Sequence, residues 1–207
     1  MKVIGLTGSI GTGKSSVSKI LNEDYNIPII DADKISKEAV QKGSRGLNKI
    51  KDVFGSDYIL DNGELNRPKM ASLVFNDEKA RLALNNIVHP EVTDKYNYLV
   101  NKYKQRDEKY VIYDCPLLIE EKLTNMVDVV MLVYTSLDIQ IKRIMLRDNV
   151  KKEQALMRIK AQMSTEDKMR YADIIIDNSS DFNNLKKNIN KIYNSEFSKN
   201  NTCINIH

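Results

Sequence analysis

Cysteine is nearly missing from this chain: Cys115 and Cys203 are the only two in 207 residues, and they lie far apart. Two cysteines so placed make neither a disulfide framework nor the paired spacing of a zinc site. A reduced, cytoplasmic protein is the expectation. Charge of one sign is scarce too, with a net value of only +4. That excess does not mark a nucleic-acid binder. It suits small anionic substrates, and ordinary solubility accounts for it equally well. No apolar run reaches the roughly 18 residues of a membrane span. Lys2-Val3-Ile4-Gly5-Leu6 opens without a charged leader and cleavage site, so no exported form is expected. There is no internal repeat. Only two histidines occur, His89 and His207, and a lone histidine more often packs or hydrogen-bonds than catalyses.

What is present is enough for a sizeable core: 42% of residues are hydrophobic. The length fits one α/β domain with insertions, or a core with small lobes. Val3–Thr7 reads as a buried strand that ends in glycines, and Lys14–Asn22 as a helix with Val17, Ile20 and Leu21 inward. Pro28–Ile30 is a second strand. Residues 34–107 are mostly helical in pattern, with turns at Gly43–Gly46 and Asp61–Gly63. Pro68 suits a first helical turn, and Pro90 either breaks a helix or opens one. So long an insertion reads as a separate lobe. Tyr110–Tyr113, the valine-rich Val127–Tyr134 and Asp173–Asp177 are further strands. Ser136–Asp148 is a helix, Lys151–Lys168 a charged helical stretch, and Phe182, Leu185, Ile189 and Ile192 mark a last packed helix. Cys115 reads as buried, and Tyr96, Tyr98 and Tyr103 as helix packing. The tail from Ser198 is polar and is expected to fray. Strands alternating with helices imply a parallel sheet covered on both faces.

Gly8-Ser9-Ile10-Gly11-Thr12-Gly13-Lys14-Ser15 matches G-x-x-x-x-G-K-[ST] at every position. Backbone N–H groups must wrap a phosphate here, and bulky side chains would block that approach. The helix from Lys14 adds its positive end. Lys14 is expected on the β- and γ-phosphates, and the Ser15 hydroxyl on Mg²⁺. The motif specifies nucleoside triphosphate binding and leaves its use open. A GTPase would need D-x-x-G where the chain has Asp114-Cys115-Pro116-Leu117, and an N-K-x-D where it has Asn48-Lys49-Ile50-Lys51. A small kinase remains.

Asp31 and Asp33 follow the second strand, where ligands of open parallel sheets bind. A carboxylate there can take a proton from an attacking hydroxyl. One of the two can instead cap the helix near Lys34. That structural role falls more readily to Asp31, although sequence alone does not separate the pair. Gln140, Arg143 and Arg147 share a helix face, so two guanidiniums could clamp phosphoryl charge. A solvated, salt-bridged face is the plainer alternative. Arg158 and Gln162 form an i, i+4 pair in a weakly apolar segment of the kind a mobile lid needs.

Taken together, these blocks resemble the dephospho-CoA kinase family. Gly5–Ser15, Asp31-Ala32-Asp33, Leu65-Asn66-Arg67, Val74-Phe75, His89-Pro90, Pro116-Leu117-Leu118-Ile119-Glu120, Gln140/Arg143/Arg147/Asp148 and Ala172–Asn178 stand in family order over about residues 1–180. Singly, only the phosphate loop is specific. Ser9 and Ser16 depart from the commoner glycine and threonine, and Asn66 from a frequent aspartate. The resemblance implies phosphorylation by ATP of the ribose 3′-hydroxyl of dephospho-CoA, with Mg²⁺. It implies Asp33 as base, and Lys14, Arg143 and Arg147 as catalytic groups. Gly8, Gly11, Thr12, Gly13, Lys14, Ser15, Ser16 and both arginines would hold ATP. Arg67, His89, Leu117 and Glu120 would lie near the acceptor. The implied fold is an α/β P-loop three-layer sandwich with a parallel central sheet. In it, residues 1–33, 108–139 and 169–197 form the core, 34–107 a helical acceptor lobe, 140–168 a helical lid and 198–207 a tail. Another small-molecule kinase, such as a nucleoside or nucleoside monophosphate kinase, and a non-catalytic nucleotide-binding regulator are the alternatives. No nucleic-acid or membrane partner is expected, and a monomer is compatible with everything above.

Overall fold

The computed structural model describes residues 1–197; Cys203, His207 and the tail from Ser198 lie outside them. The described chain forms two compact units, residues 1–29 with 108 onward, and residues 30–107.

The sheet has strands β1 (Lys2–Thr7), β2 (Ile29–Asp31), β3 (Tyr110–Asp114), β4 (Val129–Tyr134) and β5 (Ile174–Asp177), in the order β2-β3-β1-β4-β5, and all but the end of β2 lies in the first unit. The sheet is parallel throughout. Leu6 lies opposite Asp114, Thr7 opposite Leu132, and Tyr134 opposite Asp177. β2, where the chain passes between units, takes the edge beside β3, with Ile112 N donating to Pro28 O at 2.9 Å. Side chains alternate along each strand. Ile4, Leu6, Ile112, Met131 and Val133 therefore form one buried face, under α1 (Lys14–Glu23) and α9 (Phe182–Ile192). Val111, Tyr113, Val130 and Leu132 fill the other. Burial on both faces explains why these strands are continuously apolar. Two aspartates start strands from outside: Asp128 Oδ2 accepts from Val3 N at 2.7 Å, and Asp173 Oδ2 from Val130 N at 2.8 Å. Phe182, expected to pack, is exposed at the first turn of α9, while Leu185 and Ile189 are buried.

The stretch expected as one helix from Lys151 to Lys168 is two, α7 (Lys152–Lys160) and α8 (Thr165–Met169). The break has a local cause. Ser164 caps α8, its Oγ accepting from Asp167 N at 3.1 Å. α6 (Leu137–Asp148) precedes them.

The 30–107 unit holds α2 (Ala32–Ala39), α3 (Arg45–Phe54), α4 (Arg67–Asn76) and α5 (Glu78–Lys104) around Val40, Leu47, Ile50, Leu65, Met70 and Ile87. Each start is capped by a side chain: Asp31, Ser44, Asn66 and Asp77 accept from backbone N–H groups of the following turn. Asp31 is thus the capping member of the aspartate pair. The turn expected over Gly43–Gly46 is shorter, because Arg45 and Gly46 already belong to α3. Pro68 sits in the first turn of α4, as its missing N–H predicts. Pro90 neither breaks nor opens a helix: it lies inside the 27-residue α5. A proline there costs about 3 kcal/mol in a helix that stands alone. α5 instead packs on α2, α3 and α4 and buries Ala80, Ile87 and Tyr96, so packing carries it through. Tyr98, expected to pack, is exposed beside Lys95.

Glu91 on α5 ties α3 down through Arg45 Nε at 2.8 Å and Lys49 Nζ at 3.0 Å. The hydrogen bond from Arg45 holds its carboxyl below the usual range, partly opposed by burial, with Lys49 adding to the lowering. A depressed carboxylate stabilises the fold above its unfolded value of about 4.3, and that contribution fades as pH falls through the folded value. Glu91→Gln is therefore expected to lower the urea midpoint at pH 7 and to lower it by less at pH 3. An equal loss at both pH values would show packing, not charge, at work.

Candidate active site

The loop from Gly8 to Gly13 joins β1 to α1. Gly13 caps α1 in the left-handed region, at φ +88°, and a Cβ there would strike Asn178 Nδ2. No acidic residue stands in the first turn of α1, so its positive end is left for an anion.

The loop is held from behind by side chains that come from later in the chain. Ile10 N donates to Gln162 Oε1 at 2.8 Å, and Ile10 O accepts from Gln140 Nε2. Thr12 O accepts from Asn178 Nδ2 at 2.8 Å and from Arg143 Nη1 at 3.3 Å, while Arg143 Nη2 donates to Asn178 O at 3.0 Å. Thr12 Oγ1 closes the turn by donating to Ser9 O at 2.8 Å. Gln140 is 2% exposed, so its amide is committed to this bond.

In front of the loop lies a cleft of about 690 Å³. Gly8, Gly11, Gly13, Lys14 and Ser15 line it from the loop side, and Arg143, Arg147 and Gln162 from the other. Ser16 stands one residue further along α1, outside this lining. Lys14 Nζ is paired with Asp114 Oδ1 at the end of β3. Arg143 and Arg147 share a helix face but engage different partners. Arg147 is bidentate to Asp148, at 2.7 and 3.0 Å, and Arg158 pairs with the same carboxylate. The hydrogen bond from Arg147, then the charges of Arg147 and Arg158, hold the Asp148 carboxyl low, and the same bond raises Arg147.

Glu120 stands against Lys168 of α8, Nζ to Oε1 2.7 Å, and Lys168 is fully buried. The contact is electrostatic, its direction falling outside hydrogen-bond geometry. Leu117 is exposed on the turn after β3, and Cys115 beside it is buried. Asp33, Arg67 and His89 are exposed residues of the 30–107 unit, on α2, α4 and α5. His89 is therefore not a packing residue.

Sequence reasoning gave no site role to Asp114, Asn178, Lys168 and Leu146, and placed Gln162 only beside Arg158 in the lid-like stretch. Asp114 had a signal, an acid ending a strand that could neighbour β1. Leu146 had none: at helical spacing it reads as core, yet it is 85% exposed and lines the cleft.

A parallel sheet whose first strand runs through such a loop into a helix defines a P-loop kinase-type nucleotide-binding protein. The comparisons narrow this. The profile of the dephospho-CoA kinase family matches residues 2–184. A dephospho-CoA kinase of Staphylococcus epidermidis is 47% identical over 94% of this chain and 95% of its own. A crystal structure from Thermus thermophilus aligns with a TM-score of 0.79 at 28% identity, covering 93% of this chain and 96% of that one. A Campylobacter jejuni dephospho-CoA kinase aligns at 0.71 and 27%, over 93% and 95%. The chain belongs to the dephospho-CoA kinase family.

Arg143 bridges two carbonyls with one planar fork, each terminal nitrogen donating once, a fixed geometry that a flexible ammonium stem does not reproduce. Arg143→Lys is expected to weaken ATP binding about tenfold by calorimetry with the melting temperature little changed. Unaltered ATP affinity would remove Arg143 from the loop's support.

Proposed function

We propose that this protein transfers the γ-phosphoryl group of ATP to the 3′-hydroxyl of the ribose of dephospho-CoA, giving CoA and ADP. The observation that carries the reading is the braced phosphate loop with Lys14 at its cleft, in a chain of this family. The loop amides and the α1 terminus take the β-phosphate. Lys14, drawn from Asp114, takes the β- and γ-oxygens. Arg143 and Arg147 face the charge that develops on transfer, and Leu146 offers the purine an apolar surface.

Mg²⁺ fits this site. Its candidate ligands are hard oxygens, the Ser15 hydroxyl and the Asp114 carboxylate. No group of three or more His, Cys, Asp or Glu among the described residues forms a cage, which suits an ion that arrives on the nucleotide. When bound, it neutralises charge on the β- and γ-phosphates.

Asp33 is the proposed base. It is exposed at the first turn of α2, while Asp31 beside it is occupied as a cap. The ribose oxygen attacks the γ-phosphorus as the bond to the β,γ-bridging oxygen breaks, and its proton passes to Asp33. Residues 34–107 would carry the acceptor, with Arg67, His89, Leu117 and Glu120 near it, and residues 140–168 would close over ATP. Water exclusion then protects ATP from hydrolysis. The protein would work in the cytoplasm; none of its described helices is long and apolar enough to cross a membrane.

The test is ADP release from Mg·ATP with and without dephospho-CoA. Release should depend on dephospho-CoA, and Asp33→Asn should cut kcat about 10²- to 10⁴-fold while ATP still binds. Stimulation by a nucleoside or a nucleoside monophosphate in place of dephospho-CoA would overturn the acceptor.

A further inference from the structure

The five residues of α8, Thr165–Met169, are too few for a helix that holds itself together. Among its described residues one side chain is buried, and that one is charged: Lys168, with no exposure to solvent. Its Nζ lies 2.7 Å from Oε1 of Glu120. Among the described residues neither that nitrogen nor either Glu120 oxygen, all three buried, has a hydrogen bond. A charge pair kept from water on such terms adds little stability. Two neutral side chains of similar size would hold α8 as well or better.

Both ends of the pair lead back to the phosphate loop. On the Glu120 side, residues 115–123 form a tight turn, with Glu121 N donating to Leu117 O and Leu123 N to Leu118 O, each at 2.9 Å. Leu118 and Ile119 are buried in it. The turn is moored to the end of β1, where Thr7 Oγ1 donates to Pro116 O at 3.0 Å, immediately before the loop. On the other side, α8 opens at its Ser164 cap. Lys168 N donates to Ser164 O at 3.0 Å, and Asp167 N to Ser164 Oγ at 3.1 Å. Two residues before the cap stands Gln162, whose Oε1 accepts from Ile10 N at 2.8 Å. The contacts close a ring that runs from Thr7 through Glu120, Lys168 and Gln162 to Ile10, three residues past its start. Charge suits the middle of such a ring. With water excluded, the attraction of two unit charges varies steeply with distance. It fixes where α8 sits more sharply than an apolar contact of the same area would.

We propose that Glu120 and Lys168 are positioning residues for ATP. The buried pair sets the place of α8, and through it the reach of Gln162 to the Ile10 amide. With that bond made, the loop is held from behind while its other amides face the β-phosphate. Neither residue lines the cleft, so the pair acts through Gln162 and not on the nucleotide. The proposal rests on the ATP site described above.

The experiment measures ATP affinity by calorimetry, and the melting temperature, for the parent and four variants. Glu120→Gln with Lys168→Met removes both charges together and strands neither. Gln162→Ala removes the brace itself, and a third variant combines all three substitutions. Ser164→Ala loosens α8 with the buried charges in place. The pair variant should melt at or above the parent's temperature and yet bind ATP about tenfold more weakly. Gln162→Ala should lose a similar factor, and the combined variant no more than either, because all act on one bond. Ser164→Ala should weaken ATP about threefold in the parent and leave Gln162→Ala unchanged. A pair variant with the parent's ATP affinity, whatever its melting temperature, would reduce the pair to support and overturn the proposal. Losses that multiply to about a hundredfold in the combined variant would overturn it too, since the pair would then act by another route. If the pair variant does not fold, Ser164→Ala decides: the parent's affinity, or a loss that persists beside Gln162→Ala, overturns the proposal. A parent protein that binds no ATP would overturn the reading of the site itself, and that failure appears before any substitution is made.

Discussion

A loop that binds phosphate through its backbone cannot hold itself together with those same amides. Most of their N–H groups must stay free for the ligand, so the loop keeps few bonds of its own, those of Thr12 N and Thr12 Oγ1 to Ser9 O. The rest of its rigidity has to come from outside. Here it comes from the carbonyls of Ile10 and Thr12, gripped by Gln140, Arg143 and Asn178, and from Gln162 on the Ile10 amide. Most of the first unit follows from this need. β5 has to end where Asn178 reaches Thr12, and α6 has to start so that Gln140 and Arg143 face the loop. The glycine at position 13 is required by the brace as much as by the nucleotide, since the space a Cβ would occupy is taken by Asn178.

The brace also joins the loop to the segment that would cover ATP. Gln140 and Arg143 stand on α6, and Gln162 lies between α7 and α8. These helices are tied to one another by Asp148, which holds Arg147 and Arg158 together. Behind them the buried Lys168 lies against Glu120. Removing one member of such a buried pair strands the other charge, at a cost of several kcal/mol. The segment is therefore anchored at its base. Within it, α7 buries only Ala155.

Much of the fold was legible because its signals are local. The five strands are short apolar runs with clear ends, and Gly8–Ser15 carries its chemistry in its spacing. What was lost was settled by tertiary contacts. Pro90 reads as punctuation, yet a packed α5 runs through it. The stretch after Lys151 reads as one charged helix, although Ser164 and Asp167 form a capping pattern that announces the break. In the site, Lys14 and the glycines declare themselves, whereas Asn178 and Gln162, though both fall in segments singled out from the sequence, carry nothing local that points to the loop. A glutamine or asparagine that reaches back 150 residues or so to a carbonyl or amide looks like any surface amide until the sheet brings it home. Asp31 and Asp33 were separable only once the cap to Lys34 N was seen.

Transfer chemistry by itself does not choose an acceptor. A carboxylate at the start of α2 can take the proton of any sugar hydroxyl that reaches it, and a braced loop presents the same γ-phosphate to all of them. Discrimination must come from binding energy at a distance from the reacting atoms, used to hold one hydroxyl in line. The 30–107 unit is large for a support that only carries a base: its four helices bury a core of their own around Ile50 and Ile87. A rigid lobe of that size suits a substrate that is gripped away from its reacting hydroxyl, so that binding energy spent at one end holds the other in line.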